Sequence, residues 1–243
     1  MVLVIGGTDS SGGAGVTRDL RTLADCEMAG VAAVTAVTAQ SNARVRAIHV
    51  VPARILADQI SSALDTNDVR AIKIGMLGTR ASVEAVARSL PLNGAVPVVL
   101  DPVLAASSGA ALLDEDGRHA MRDLLLSRVT LITPNIPEAA ALLGTSLAED
   151  EAAAIDQALR IRAMGPLAVL IKGGHATGPE CVDILVAGDG KPLRLVSQRY
   201  PTQLRGTGCA LASAIAAGLA RGLPLEYACR FGKNYLSAMF AAA

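Results

Sequence analysis

Val2-Leu3-Val4-Ile5 leads into Gly6-Gly7-Thr8-Asp9-Ser10-Ser11-Gly12-Gly13-Ala14-Gly15, and the chain goes on to Val31-Ala32-Ala33-Val34-Thr35-Ala36-Val37-Thr38. The first four residues are a short apolar run of the kind that makes a buried strand. After the glycine loop, Val16, Leu20, Leu23 and Cys26 recur at helical spacing, and Gly30 marks the stop. Residues 31–38 predict a second strand. Strand, glycine loop, helix and strand in that order form the βαβ unit of a parallel sheet.

The alternation continues outward from this unit. Residues 44–50 read as a strand at an edge, and Pro52 opens a helix to about residue 64. Strands at 71–74 and 97–100 flank a helix at 82–90. Residues 115–126 predict a helix, 129–132 a strand, 137–143 and 149–164 two helices, and 167–171 a strand. Residues 182–187 and 193–197 predict a hairpin around Gly188-Asp189-Gly190. Helices at 207–221 and 224–239 close the chain. With no repeat period and no linker, the expectation is one α/β domain over residues 1–243.

Composition narrows the function. Hydrophobic residues make up 51% of the 243 and aromatic ones only 2%, so the core is built from Ala, Val, Leu and Ile. So few rings leave little for unpaired bases to stack on. The 22 basic and 22 acidic residues balance, and no basic run occurs. Both features argue against a nucleic-acid partner. Cys26, Cys181, Cys209 and Cys229 are scattered, which gives neither a zinc site nor a disulfide framework. A reducing cytoplasm is the expected compartment. The first residues show no basic region or cleavage site, and no apolar stretch reaches the roughly 18 residues of a membrane span.

Four strands end in polar clusters: Gly7-Thr8-Asp9, Asp101, Thr133-Pro134-Asn135 and Lys172-Gly173-Gly174. In an open parallel sheet such ends share one edge, where ligands bind. Each alone is ordinary turn chemistry; together they point to a site. Gly206-Thr207-Gly208-Cys209 opens an apolar helix, so its backbone N–H groups and the positive end of the helix dipole suit an anion. Two familiar phosphate motifs fail. Starting at Gly13, the third glycine of G-x-G-x-x-G falls on Arg18, and no Gly-Lys is followed by Ser or Thr.

The ordered segments 6–15, Lys73-Ile74-Gly75-Met76-Leu77, Asp101-Pro102-Val103, Thr133-Pro134-Asn135-Ile136-Pro137-Glu138-Ala139, Lys172-Gly173-Gly174-His175 and Gly206-Thr207-Gly208-Cys209 carry a resemblance. Together they resemble the hydroxymethylpyrimidine/phosphomethylpyrimidine kinases of thiamine biosynthesis, within the ribokinase-like superfamily. The resemblance covers essentially the whole chain. It implies a ribokinase-like three-layer α/β/α fold, ATP and Mg2+ as cofactors, a small pyrimidine alcohol as substrate, and a homodimer as an option. Some pyridoxal kinases share this pattern and are the alternative. A catalytically weak protein that binds the pyrimidine or a nucleotide is another.

The resemblance also implies roles. Gly206, Thr207, Gly208 and Cys209 would form the anion hole around the transferring phosphoryl group. Cys209, made acidic by the helix start, would accept the hydroxymethyl proton as a thiolate. Asn135 and Glu138 would arrange magnesium and its waters, with Asp101 acting through a water. Lys172 would approach the ATP phosphates. Gln40 and Asp19 would face the substrate, with Gly7 and Met76 walling the ring. Departures fall at Gln203-Leu204-Arg205, where the family usually has Asn-Thr-His, at Ser107, where a Lys is frequent, and at Ser41. They bear on the second phosphorylation, for which Arg205 offers a replacement cation.

Overall fold

The computed structural model describes residues 1–41, 43–91, 94–106, 109–173, 178–202 and 204–243. The chain runs β1 (Val2–Gly6), α1 (Gly15–Asp25), β2 (Gly30–Val34), β3 (Ala36–Gln40), β4 (Val45–Val50), α2 (Ala53–Thr66), β5 (Ala71–Ile74) and α3 (Arg80–Ser89). It continues through β6 (Val98–Leu100), α4 (Glu115–Ala120), β7 (Leu131–Ile132), α5 (Ile136–Leu143), α6 (Glu151–Arg162) and β8 (Ala168–Ile171). The last elements are β9 (Glu180–Val186), β10 (Pro192–Gln198), α7 (Thr207–Ala220) and α8 (Leu225–Ala241).

One sheet has the order β10-β9-β8-β7-β6-β5-β1-β2. From β8 to β2 every pairing is parallel, whereas β8–β9 and β9–β10 are antiparallel. Side chains along a strand alternate between its two faces, and the two cores follow that period. Leu3 and Ile5 join one core with α2, α3, α5 and α6, while Val2 and Val4 join another with α1, α7 and α8. The expected three layers are present.

The run 31–38 is not one strand. The chain bends at Thr35, whose N–H donates to Gly6 O and whose hydroxyl donates to Met76 O at 2.7 Å. Gln59 of α2 meanwhile holds both the N–H and the carbonyl of Val34. β2 therefore stays at the sheet edge, while β3 leaves it and pairs antiparallel with β4 in a separate two-stranded sheet. Tertiary hydrogen bonds at residues 34 and 35, absent from the local pattern, cause the split. The helix expected over 115–126 also changes character. Beyond α4 it widens into a π turn over Met121–Leu125 and tightens into a 3-10 turn over Leu126–Arg128, which keeps Met121, Leu125 and Leu126 buried. No described helix is long and apolar enough to cross a membrane.

Candidate active site

The carboxyl ends of the parallel strands open on one cleft of about 1330 Å³. Every site residue expected from the sequence lines it: Gly7, Asp19, Gln40, Met76, Asp101, Asn135, Glu138, Lys172, Arg205, Gly206, Thr207, Gly208 and Cys209.

α7 begins at the cleft without a side-chain cap, its N-cap Gly206 lying at φ 70°. A Cβ at Gly206 would sit 2.2 Å from Gly13 O, so only glycine lets this loop pack on the first glycine loop. The first-turn amides therefore lack the partner a Ser or Asp would supply. Gly208 faces the charged wall of the cleft. A Cβ there would lie 3.2 Å from Lys172 Nζ and 3.3 Å from Asp101 Oδ2, so the anion loop and the ionic cluster touch.

That cluster is built from three successive strand ends. Lys172 Nζ donates to Asp101 Oδ1 at 2.7 Å and lies 3.6 Å from Glu138 Oε2. A parallel bridge between Asn135 and Lys172 sets the loops after β7 and β8 side by side. Burial opposes the charge on Lys172, but Asp101 and Glu138 outweigh it and hold the ammonium above its ordinary range. Burial also raises the Glu138 carboxyl, with Lys172 opposing. Asn135 and Glu138 form a capping box on α5. Asn135 Oδ1 accepts from the Glu138 N–H, and Glu138 Oε2 accepts from the Asn135 N–H, both at 2.8 Å. The two residues expected to arrange magnesium therefore hold each other in place, one oxygen of each side chain accepting a cap hydrogen bond.

At the other end of the cleft the first glycine loop meets β3. Thr8 N–H donates to Ala36 O, and Ser10 Oγ exchanges hydrogen bonds with the backbone of Gln40 at 2.8 Å. Met76 is buried with its sulfur 2.9 Å from where a Cβ of Gly7 would sit, so these two residues share a wall. Gln40 Oε1 accepts from Thr38 Oγ1 at 3.3 Å, which orients the carboxamide beside the cleft. Asp19 departs from one of the two readings the sequence allows. It is not a solvated helix carboxylate, being fully buried at the cleft wall with Lys73 Nζ at 2.8 Å from both its oxygens. Ser213 Oγ donates to Asp19 Oδ1 as well, at 2.8 Å.

Cys209 also corrects an expectation. Burial pushes its thiol up to about 11, against the pull of Lys73 and the Gly15 N–H. The helix start does not make it a resting thiolate, because desolvation of the charged form wins. Arg205 is not an isolated clamp. It donates to Ser11 Oγ at 2.9 Å and pairs with Asp9 at 3.2 Å, tying the anion loop to the first glycine loop.

The model of phosphomethylpyrimidine kinases matches residues 9–243. The chain belongs to the phosphomethylpyrimidine kinase family. Among curated relatives, the hydroxymethylpyrimidine/phosphomethylpyrimidine kinase of Rhizobium meliloti is 43% identical over all of this chain and 91% of its own. Thiamine biosynthesis bifunctional protein ThiED of Geobacter sulfurreducens is 38% identical over the whole chain, which spans 49% of that larger protein. Among solved structures, a phosphomethylpyrimidine kinase from Clostridium difficile superposes with a TM-score of 0.85 at 34% identity, covering 98% of each chain. The pyridoxal kinase of Staphylococcus aureus in complex with AMP-PCP gives 0.89 at 28% identity, over 98% of this chain and 87% of that one. Gly174 and His175 of the Lys172-Gly173-Gly174-His175 segment, and the departures at Ser107 and Gln203, lie outside the described residues.

Three features of the cleft escape sequence reading. Asp9 reads in the sequence only as part of a strand-end cluster, although it holds Arg205. Lys233 of α8 pairs with Asp183 of β9 at 2.8 Å, and Asp183 accepts the Gly173 N–H, so the last helix steadies the loop that carries Lys172. Lys73 stands inside a matching segment whose resemblance implies no role for it. Its signal is visible in retrospect: a lysine in the otherwise aliphatic strand Ala71-Ile72-Lys73-Ile74, on the face that packs against α1 and α7.

Proposed function

We propose that this chain uses Mg-ATP to phosphorylate the hydroxymethyl group of 4-amino-5-hydroxymethyl-2-methylpyrimidine, and then phosphorylates the monophosphate, in thiamine biosynthesis. The observation that carries the reading is the contact between the uncapped start of α7 and the Lys172–Asp101 pair inside one cleft. Phosphoryl transfer needs positioned donors and neutralised charge more than covalent chemistry. The first-turn amides of Thr207, Gly208 and Cys209 suit the transferring group, and Lys172 suits the phosphate chain. Gln40, Gly7 and Met76 frame a small flat ring, and a carboxamide donates and accepts in parallel as an aminopyrimidine edge requires.

Magnesium fits the chemistry of this wall. Asp101 and Glu138 bring two carboxylates to one wall beside Lys172, a donor set that suits an ion held by one or two carboxylates plus substrate phosphates. Asp101 and Glu138 would hold it, and it would supply charge neutralisation at the phosphates. Cys209 is the proton acceptor for the substrate hydroxyl in this reading.

The test is ADP release with purified protein, comparing kcat/KM for the aminopyrimidine alcohol, its monophosphate and pyridoxal. A preference for the aminopyrimidine of at least tenfold is expected. Pyridoxal kinase is the second reading, favoured by the likeness to the Staphylococcus aureus enzyme, and a preference for pyridoxal would establish it in place of ours. Tight ligand binding without ADP release would mark a binding protein.

A further inference from the structure

Lys73 is 1% exposed on a strand whose other three residues are aliphatic and buried. A buried ammonium is costly unless it is paired and hydrogen-bonded. Here Asp19 supplies both oxygens at 2.8 Å, and Ser213 fixes that carboxylate from α7. Ser213 lies four residues beyond Cys209 on the same helix, so the two side chains share a face one turn apart. A Cβ on Gly75 would come within 2.9 Å of Lys73 Nζ, which places the ammonium at the strand end, where Gly75, Lys73, Asp19 and Cys209 all line the cleft. A simple structural tie between α1 and the sheet would need no charge; the strand neighbours of Lys73 on that face, Val4, Val99 and Ala71, are all aliphatic.

We propose that Lys73, held in place by Asp19 and Ser213, is the positioning residue whose ammonium stabilises negative charge on Cys209 during proton transfer. The inference rests on the reading of Cys209 as proton acceptor. Cys209 first loses its thiol proton to water, and the thiolate then takes the substrate hydroxyl proton as the new O–P bond forms and ADP leaves. That proton passes to solvent when the thiol ionises again, and Lys73 keeps its own protons throughout. The charged groups acting on the sulfur are Lys73 of β5, Asp19 of α1, Asp101 after β6 and Lys172 after β8. Lys73 is the strongest influence opposing the desolvation of the thiolate, and Asp19 and Asp101 act against it. Burial is the largest single influence on Lys73 and opposes its charge, but Asp19, Cys209 and Asp101 together outweigh it and keep the ammonium protonated.

The experiment measures iodoacetamide alkylation of Cys209 at pH 9, followed by mass spectrometry of its peptide so that the other cysteines do not interfere. Thiolates are the reactive form, so the rate reports the charged sulfur without any substrate. Lys73→Met is expected to slow alkylation at least tenfold, and Lys73→Arg to restore most of it. Because Lys73→Met strands Asp19, the neutral pair Lys73→Met/Asp19→Asn is measured too, with folding checked by circular dichroism; it is also expected to be slow. A folded double variant alkylated within twofold of wild type would overturn the proposal. Wild-type protein that shows this coupling but releases no ADP with any alcohol would overturn the proposed function while leaving the Lys73–Cys209 coupling established.

Discussion

The residue on which the chemistry turns is Cys209, and its environment makes a prediction with a definite sign. Burial holds the thiol up at about 11. In the free protein at pH 7 the thiol form therefore predominates. If the thiolate accepts the substrate proton, kcat/KM must climb as pH rises toward that value, by about tenfold per unit between pH 7 and 9. A flat profile over that range, measured with saturating Mg-ATP, removes Cys209 from the role. Cys209→Ala should lower kcat by roughly 10²–10⁴-fold, the usual worth of a positioned base, with a melting temperature near wild type. The sequence identified the residue and misjudged its state. A cysteine at a helix start is legible as acidic, whereas the desolvation that reverses the shift comes from the tertiary surroundings of α7, which the local sequence does not show. Asp19 escaped for the same reason: its partners Lys73 and Ser213 lie 54 and 194 residues away.

At the scale of elements, α5 joins helix stability to the phosphate wall. Its capping box places Glu138 beside Lys172, so the same two residues cap a helix and shape the site. The two functions separate by substitution. Asn135→Ala removes the acceptor for the Glu138 N–H and should cost about 1 kcal/mol, or 2–4 °C in melting temperature for a domain of this size. Glu138→Gln keeps an oxygen acceptor for the cap but removes the negative charge. It should melt near wild type while needing several-fold more magnesium for half-maximal ADP release. Equal magnesium requirements in the two proteins would falsify the assignment of Glu138 to the metal. The strands of the parallel sheet were legible because each carries an unbroken apolar run bounded by turn residues. The break at Thr35 was not, since residues 31–38 keep strand character throughout and the bend is made by Gly6, Met76 and Gln59.

For the whole molecule, the cleft is where segments from opposite ends of the chain close on each other. Arg205 and Asp9 are 196 residues apart in sequence, and their ion pair joins the two glycine loops. Asp9 is 5% exposed, so the pair is better shielded than a surface bridge, yet Arg205 still borders the open cleft. Arg205→Ala should raise KM for the pyrimidine monophosphate more than for the alcohol, and equal KM ratios in mutant and wild type would dismiss its part in the second step. Motif order alone brought these loops to one sheet edge, but the pair itself depends on how the loops pack. Because strands and helices from both halves of the chain line the cleft, a nucleotide bound there stabilises the cooperative unit as a whole rather than one lobe. At a free concentration 100 times its dissociation constant, Mg-ADP should contribute about 2.7 kcal/mol. For a domain of this length that corresponds to a rise of about 5–11 °C in a single melting transition. Calorimetry decides it: a split transition, or no shift under saturating Mg-ADP, would mean that the nucleotide does not bind across the one cleft in which the chain's two glycine loops meet.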